Sequence, residues 1–303
     1  MNCTANINVI IRLRIDSDGD GVRTVVFFYG CPLQCVWCCN PETRFSEKYT
    51  VLDTNNLYDL IARDLIYFNA TDGGVTFSGG EPLLYADFIN KFLNEHNCIK
   101  ANIETSLYGS FDNIEKIASQ IDEWYIDFKL FDEEKHKVFT DVSNDLIKSN
   151  IVKLSKLVER DKIILTFPVI PSVNDSDDNI KQMIAFMKDC GLNKVEIHPY
   201  RKKSEMKYGK LGLEQHTFEE LSSIKHFHIK KMFSESRIVV LERRPIIERS
   251  KCEVLKDIRR KYCKENSIGL NIEDCNYQGR CTGTCPKCEE ELKIINEWRM
   301  KNA

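Results

Sequence analysis

A chain of 303 residues with 42% apolar and 29% charged side chains can bury a substantial core and has the make-up of a globular protein. Its net charge of -3 excludes broad electrostatic binding to nucleic acid, and no apolar run approaches membrane-spanning length. Arg12 and Arg14 interrupt the only apolar stretch near the amino terminus, so no signal peptide is read and the cytoplasm is expected.

Ile7, Val9, Ile11, Leu13 and Ile15 alternate along a half-buried strand, and "DSDGDG" then turns the chain. Asp16, Asp18, Asp20 and Gly21 imitate the start of a calcium loop. The twelfth position is Phe27 rather than a carboxylate, so a polar hairpin turn is expected. A buried strand over 24–30 ends at "GCPLQCVWCCN". Helix-like and strand-like segments alternate after it. Helices are expected over 54–68, 83–95, 111–120, 144–158, 176–190 and 217–232. Strands are expected over 74–80, 100–106, 124–130, 162–170, 194–200 and 237–242.

This alternation predicts an α/β fold with a parallel sheet and right-handed crossovers. An open or closed barrel and a doubly wound sheet both satisfy it. In each, chemistry belongs at the carboxyl ends of the strands, where the cysteines, "SGGE", "ETS", "DFK" and "HPYR" fall. From about residue 246 the pattern stops, and a cysteine-rich tail closes on an amphipathic helix near 288–301. The expected division is therefore 1–245 and 246–303.

Thirteen cysteines in a reducing compartment point to metal more than to disulfides. Cys31, Cys35 and Cys38, spaced x3 and x2 on one loop, can hold three corners of a [4Fe–4S] cluster and leave the fourth iron open. A zinc site would need a fourth ligand, which the adjacent Cys39 supplies only awkwardly. Cys3, Cys98 and Cys190 stand apart and are read as small buried hydrophobes.

The loop, with Trp37 before its last cysteine, resembles the signature of the radical S-adenosylmethionine (SAM) superfamily. More narrowly, "DGDGVRTVVFFYGCPLQCVWCCNPET", "SGGEPLL", "DFKLFDEEKHKVFTDVSN", "PVIPSVND" and "PYRKKSEMKYGKLG" resemble the glycyl-radical enzyme activating proteins, of the pyruvate formate-lyase activating type. Five motifs stand in order across residues 18–212. The resemblance implies a partial (β/α)6 TIM-type barrel that cleaves SAM to a 5′-deoxyadenosyl radical. The radical would take hydrogen from a glycine of a partner glycyl-radical enzyme, with flavodoxin or ferredoxin as electron donor. The alternative is a radical SAM peptide- or protein-modifying enzyme that uses an auxiliary cluster on a peptide substrate.

By the same resemblance, Trp37 lies beside the adenine, a core tryptophan being the rival reading. Gly79 and Gly80 let backbone approach the methionine moiety, Glu81 receives its amino group, and Lys129 meets its carboxylate. Asp127 joins Glu104, Thr105 and the Tyr125 backbone in a monovalent-cation site. Three positions depart from the family's pattern: Glu104 replaces aspartate, Thr166 replaces arginine and Arg201 replaces histidine. Arg201 is expected to take over carboxylate recognition. The ferredoxin-like insert of many relatives is missing. In its place Cys281, Cys285 and Cys288 repeat the first spacing, with Lys287 where the aromatic belongs and Cys275 as a fourth thiol. Four thiols within fourteen residues describe a closed site, an auxiliary [4Fe–4S] cluster or a structural zinc. Cys252 and Cys263 are spare ligands or core residues.

Overall fold

In the computed structural model, which describes residues 3–214, 216–242, 250–275 and 283–302, β1 (Thr4–Ile15) and β2 (Val22–Phe28) pair antiparallel across the DSDGDG turn. Asp16 closes that turn. Its N–H donates to the Gly21 carbonyl at 3.1 Å, and its carboxylate accepts from the Gly21 N–H at 3.0 Å. Gly21 has a φ of 74° and would press a Cβ into the Thr71 carbonyl, so only glycine fits. Asp18 accepts from Arg14 and Ser17. The acidic residues serve the hairpin, as expected.

The chain continues through α1 (Glu42–Phe45), β3 (Thr50–Asp53), α2 (Thr54–Ala62), α3 (Leu65–Thr71) and β4 (Gly74–Gly79). Next come α4 (Ala86–Glu95), β5 (Ala101–Thr105), α5 (Phe111–Ile117), β6 (Glu123–Asp127), α6 (Glu133–Thr140), α7 (Asp145–Leu157) and β7 (Ile163–Val169). Then follow α8 (Asp177–Asp189), β8 (Lys194–Pro199), α9 (Glu205–Lys210), α10 (Ser223–Glu235), β9 (Val239–Leu241), α11 (Lys251–Glu265) and α12 (Pro286–Asn302). Side-chain oxygens cap the starts of several helices: Asp53, Ser110, Asp132, Ser176 and Ser222 each accept a backbone N–H three residues on.

The strands form one sheet in the order β3-β1-β2-β4-β5-β6-β7-β8-β9, parallel from β2 onward. Each successive parallel strand steps to the same side. With right-handed crossovers, this puts every connecting helix on one face, as in a barrel. A doubly wound sheet needs a reversal of strand order, and none occurs. The edges, β3 and β9, do not meet, so the barrel is partial.

Four local departures have physical causes, one of them tertiary. The single helix expected over 54–68 breaks at Arg63–Asp64, because the Asp64 carboxylate is drawn inward to Arg12 at 2.6 Å and Thr24 at 2.9 Å. β3 and α6 are too short and polar to carry a periodic signal. The helix expected over 217–232 starts instead at the Ser222 cap.

In the tail, α11 was hidden among cysteines and charges. A capping box of Ser250 and Glu253 starts it, and Cys252, Leu255, Arg259 and Cys263 form its buried face. That face and α12 share an apolar cluster with Leu13, Val22, Ile66 and Tyr67, so the tail lies against β1, β2 and α3. Among the described residues no helix is long and apolar enough to cross a membrane.

Candidate functional site

The cysteine loop leaves the carboxyl end of β2 and is pinned to the end of α6. Gln34 N–H donates to the Thr140 carbonyl at 2.8 Å, and Val36 N–H to the Phe139 carbonyl at 3.1 Å. Cys31, Cys35 and Cys38 gather in one apolar nest with Leu33, Trp37, Ile170, Val173 and Tyr200. Trp37 is buried and packs against Phe139 and Phe218, with ring centres 5.9 and 6.2 Å away, so it walls the nest. Among the described residues no three histidine, cysteine or carboxylate side chains converge tightly enough for a single metal ion.

Burial pushes the Cys31 thiol up to about 11 and the Cys35 thiol up to about 12, with the Lys129 charge pulling the other way. Both are therefore protonated at neutral pH until a metal displaces the proton. In the metal-free protein, alkylation of these two cysteines is expected to rise about tenfold per pH unit through about pH 10. An ordinary thiol levels off above its pKa of about 8.5. Peptide mass spectrometry after timed alkylation reads the profile, and a plateau by pH 9 would contradict the assignment.

Lys129 is 6% exposed and pairs with Asp127. Burial opposes its charge, but Asp127 and then Cys35 outweigh burial and raise its pKa above the ordinary lysine value. Asp127 and Lys129 thus form an ion pair, with the cation near the loop thiols. Two asparagines from the quoted motifs hold its backbone, and sequence reasoning missed them. Asn174 donates to the Lys129 carbonyl at 2.7 Å and the Pro168 carbonyl at 2.6 Å. Asn144 donates to the Leu130 carbonyl at 2.8 Å and the Phe131 carbonyl at 2.9 Å. Lys207 was missed as well. Its ammonium donates to the Cys39 carbonyl at 2.9 Å, Asn40 at 3.0 Å and Glu42 at 2.6 Å, tying the loop's exit to α9. All three stand inside the motifs, which was their only signal.

The glycines of "SGGE" bring two segments of this chain together. Gly79 has a φ of 115°, and a Cβ there would lie 2.3 Å from the Phe28 nitrogen. At Gly80 a Cβ would lie 1.9 Å from the Gly30 carbonyl oxygen. The close approach they permit in this chain is between the end of β4 and the root of the cysteine loop. Gly80 N–H donates to Phe28 at 3.0 Å and Glu81 N–H to Gly30 at 2.8 Å. Glu81 is fully buried, and both its oxygens are engaged. It accepts from the Thr105 and Ser106 hydroxyls and from the N–H groups of Leu83 at 3.1 Å and Ser106 at 2.9 Å. Burial pushes its carboxyl up while these donors pull it back. Glu81 thus locks β4 to β5.

Of the expected cation set, Glu104, Tyr125 and Asp127 share one face of the sheet, because Glu104 registers with Tyr125 and Asp127 lies two residues on. Thr105 takes the other face, with its hydroxyl on Glu81. Thr166 donates to Asp127 at 3.3 Å. Arg201 is exposed beyond β8, and its charge is felt by His226 of α10.

In the tail, Cys288 is buried, Cys285 half-buried and Cys275 exposed, while Cys281 lies outside the described residues. The Cys288 backbone N–H pulls the Cys285 thiol below its ordinary value. Cys263 belongs to the apolar cluster and is a core residue. Cys252 is buried on the same face of α11 as Arg259. The described cysteines form no disulfide.

Residues 25–197 match the family described as the radical SAM superfamily. The 4-hydroxyphenylacetate decarboxylase activating enzyme of Clostridioides difficile (strain 630) is 33% identical over 279 residues, covering 71% of this chain and 88% of that protein. The pyruvate formate-lyase-activating enzyme of Clostridium pasteurianum is 35% identical over 202 residues, covering 65% and 83%. A radical SAM methyltransferase from Sphaerobacter thermophilus superposes with a TM-score of 0.55 at 15% identity, over 72% of this chain and 65% of that one, a likeness of fold alone.

Proposed function

Because the chain belongs to the radical SAM superfamily and, within it, to the activating enzymes of glycyl-radical enzymes, we propose that Cys31, Cys35 and Cys38 hold its [4Fe–4S] cluster with one iron open to SAM. The observation that carries this assignment is the gathering of the three thiols with Lys129 in an apolar nest at the end of β2. When bound, the cluster supplies the electron that breaks SAM into methionine and a 5′-deoxyadenosyl radical.

The protein's own residues bind, orient and exclude water. Lys129, held by Asp127 and stapled by Asn174, offers its cation to the SAM carboxylate. Trp37 and its apolar neighbours keep the nest dry. Gly79, Gly80 and Glu81 fix the loop's root. Arg201 stands at the mouth as a second anion partner. Glu104, Asp127 and the Tyr125 carbonyl are oxygen donors suited to a monovalent cation.

The substrate is a glycine of a partner glycyl-radical enzyme. Relatives named for 4-hydroxyphenylacetate decarboxylase and for pyruvate formate-lyase supply the first two partners to try. They favour this reaction over peptide modification. Reducing equivalents come from flavodoxin or ferredoxin in the cytoplasm. Residues 246–303 form a cysteine-rich module on the barrel of 1–245, with Cys275, Cys281, Cys285 and Cys288 in a second metal centre, an iron–sulfur cluster or zinc.

The test is anaerobic reconstitution with iron and sulfide, then reduction in the presence of SAM and each partner. It should yield 5′-deoxyadenosine and a glycyl-radical signal by electron paramagnetic resonance. A colourless protein that takes zinc in the loop and no iron would sink the proposal.

A further inference from the structure

The guanidinium of Arg259 on α11 is wholly buried, and its donors meet two other elements. Nη1 donates to the Tyr67 hydroxyl of α3 at 2.7 Å. Nε and Nη2 donate to one Glu291 oxygen of α12 at 3.1 and 2.8 Å, and Nη2 also reaches the Cys288 sulfur at 3.4 Å. The other Glu291 oxygen is buried and has no hydrogen-bond partner among the described residues. A neutral thiol is a poor acceptor, and a buried arginine is retained only where anions surround it. One carboxylate balances Arg259 by itself; its remaining donor is aimed at the Cys288 sulfur, in place to meet the negative charge that sulfur gains when a metal displaces its proton.

Building on the second metal centre proposed above, we propose that Cys285 and Cys288 are thiolate ligands of that centre, and that Arg259 is the positioning residue that offsets its negative charge and ties it to the barrel through Tyr67. The metal takes the place of the two thiol protons, which pass to solvent.

The centre sits on the outer wall of the barrel. Gly283 packs against Leu13 and Leu255, and Glu289, beside Cys288, bonds Arg12 at 2.8 Å. Arg12 holds Asp64, which accepts from Thr24 in the middle of β2. From Thr24 to Gly30 at the root of the cysteine loop the chain runs about 20 Å at the rise of a strand. At that remove the second centre fastens the tail and takes no part in gripping SAM or the substrate glycine.

The experiment counts iron, sulfide and zinc in anaerobically reconstituted wild type, Arg259→Gln and Arg259→Lys, with chelator competition for the tail metal. Wild type should hold the loop's cluster iron plus a second cluster or a zinc. Arg259→Gln should keep the loop iron and bind the tail metal about 10–100-fold more weakly. Arg259→Lys, which keeps the charge but not the fork of donors, should fall between the glutamine variant and wild type. Unchanged affinity in the glutamine variant, equal loss in both variants, or a wild type with no metal beyond the loop would each overturn the proposal. A loop without iron above a tail metal that responds as expected would sink the activating reaction and leave Arg259's role standing.

Discussion

Cys31→Ala, prepared anaerobically and reconstituted, should form no 5′-deoxyadenosine above background and hold only the tail metal. A cubane gripped by three side chains has none to spare, and among the described residues the apolar nest contains no cysteine beyond Cys31, Cys35 and Cys38. Cys39 follows Cys38 directly and is not a member of that nest, so it is not placed to take over from Cys31. The substitution removes one half-buried sulfur, and the thermal midpoint should change little, by the equivalent of about 1–2 kcal/mol. Iron analysis, chromatography of the quenched reaction and a melting curve check the three parts. Cys285→Ala is the contrast: it should lose tail metal, weaken the protein and still cleave SAM.

Gly80→Ala should damage the same reaction without touching a ligand. Its methyl would be placed 1.9 Å from the Gly30 carbonyl oxygen and 3.3 Å from the Cys31 Cβ. Backbone cannot yield as a side-chain tip would, so β4 and the loop must separate. The Gly80–Phe28 and Glu81–Gly30 hydrogen bonds, at 3.0 and 2.8 Å, are strained or lost. Overpacking and two weakened bonds together amount to about 3 kcal/mol or more of stability. A shift of about 1 Å in the loop that bears Cys31 should lower SAM cleavage on the order of 100-fold. Denaturant unfolding and the initial rate of 5′-deoxyadenosine formation measure both. A variant as stable and as active as wild type would refute the contact.

Much of the architecture was legible because buried parallel strands read as apolar runs and polar caps mark helix starts. β2 and β7 fall within a few residues of their expected bounds. What was not legible shares a cause. The break at Asp64 depends on Arg12, 52 residues away, and no window of sequence contains both. Trp37 sits among Phe139 and Phe218, which local spacing cannot place beside it. Likewise no local window shows that Glu81 accepts from Thr105 and Ser106, on the next strand and just past its end.

The sequence by itself determined the order of strands and helices, the triplet of thiols on one loop and the membership that five ordered motifs express. These are properties of neighbours along the chain. Only the tertiary structure decided that the sheet winds one way and stays open, that Gly80 lies on the root of the cysteine loop, and that Arg259 meets Tyr67 and Cys288, 192 and 29 residues distant. Those outcomes turn on which buried polar groups and backbones find one another once the core has closed, and a linear pattern does not encode that pairing.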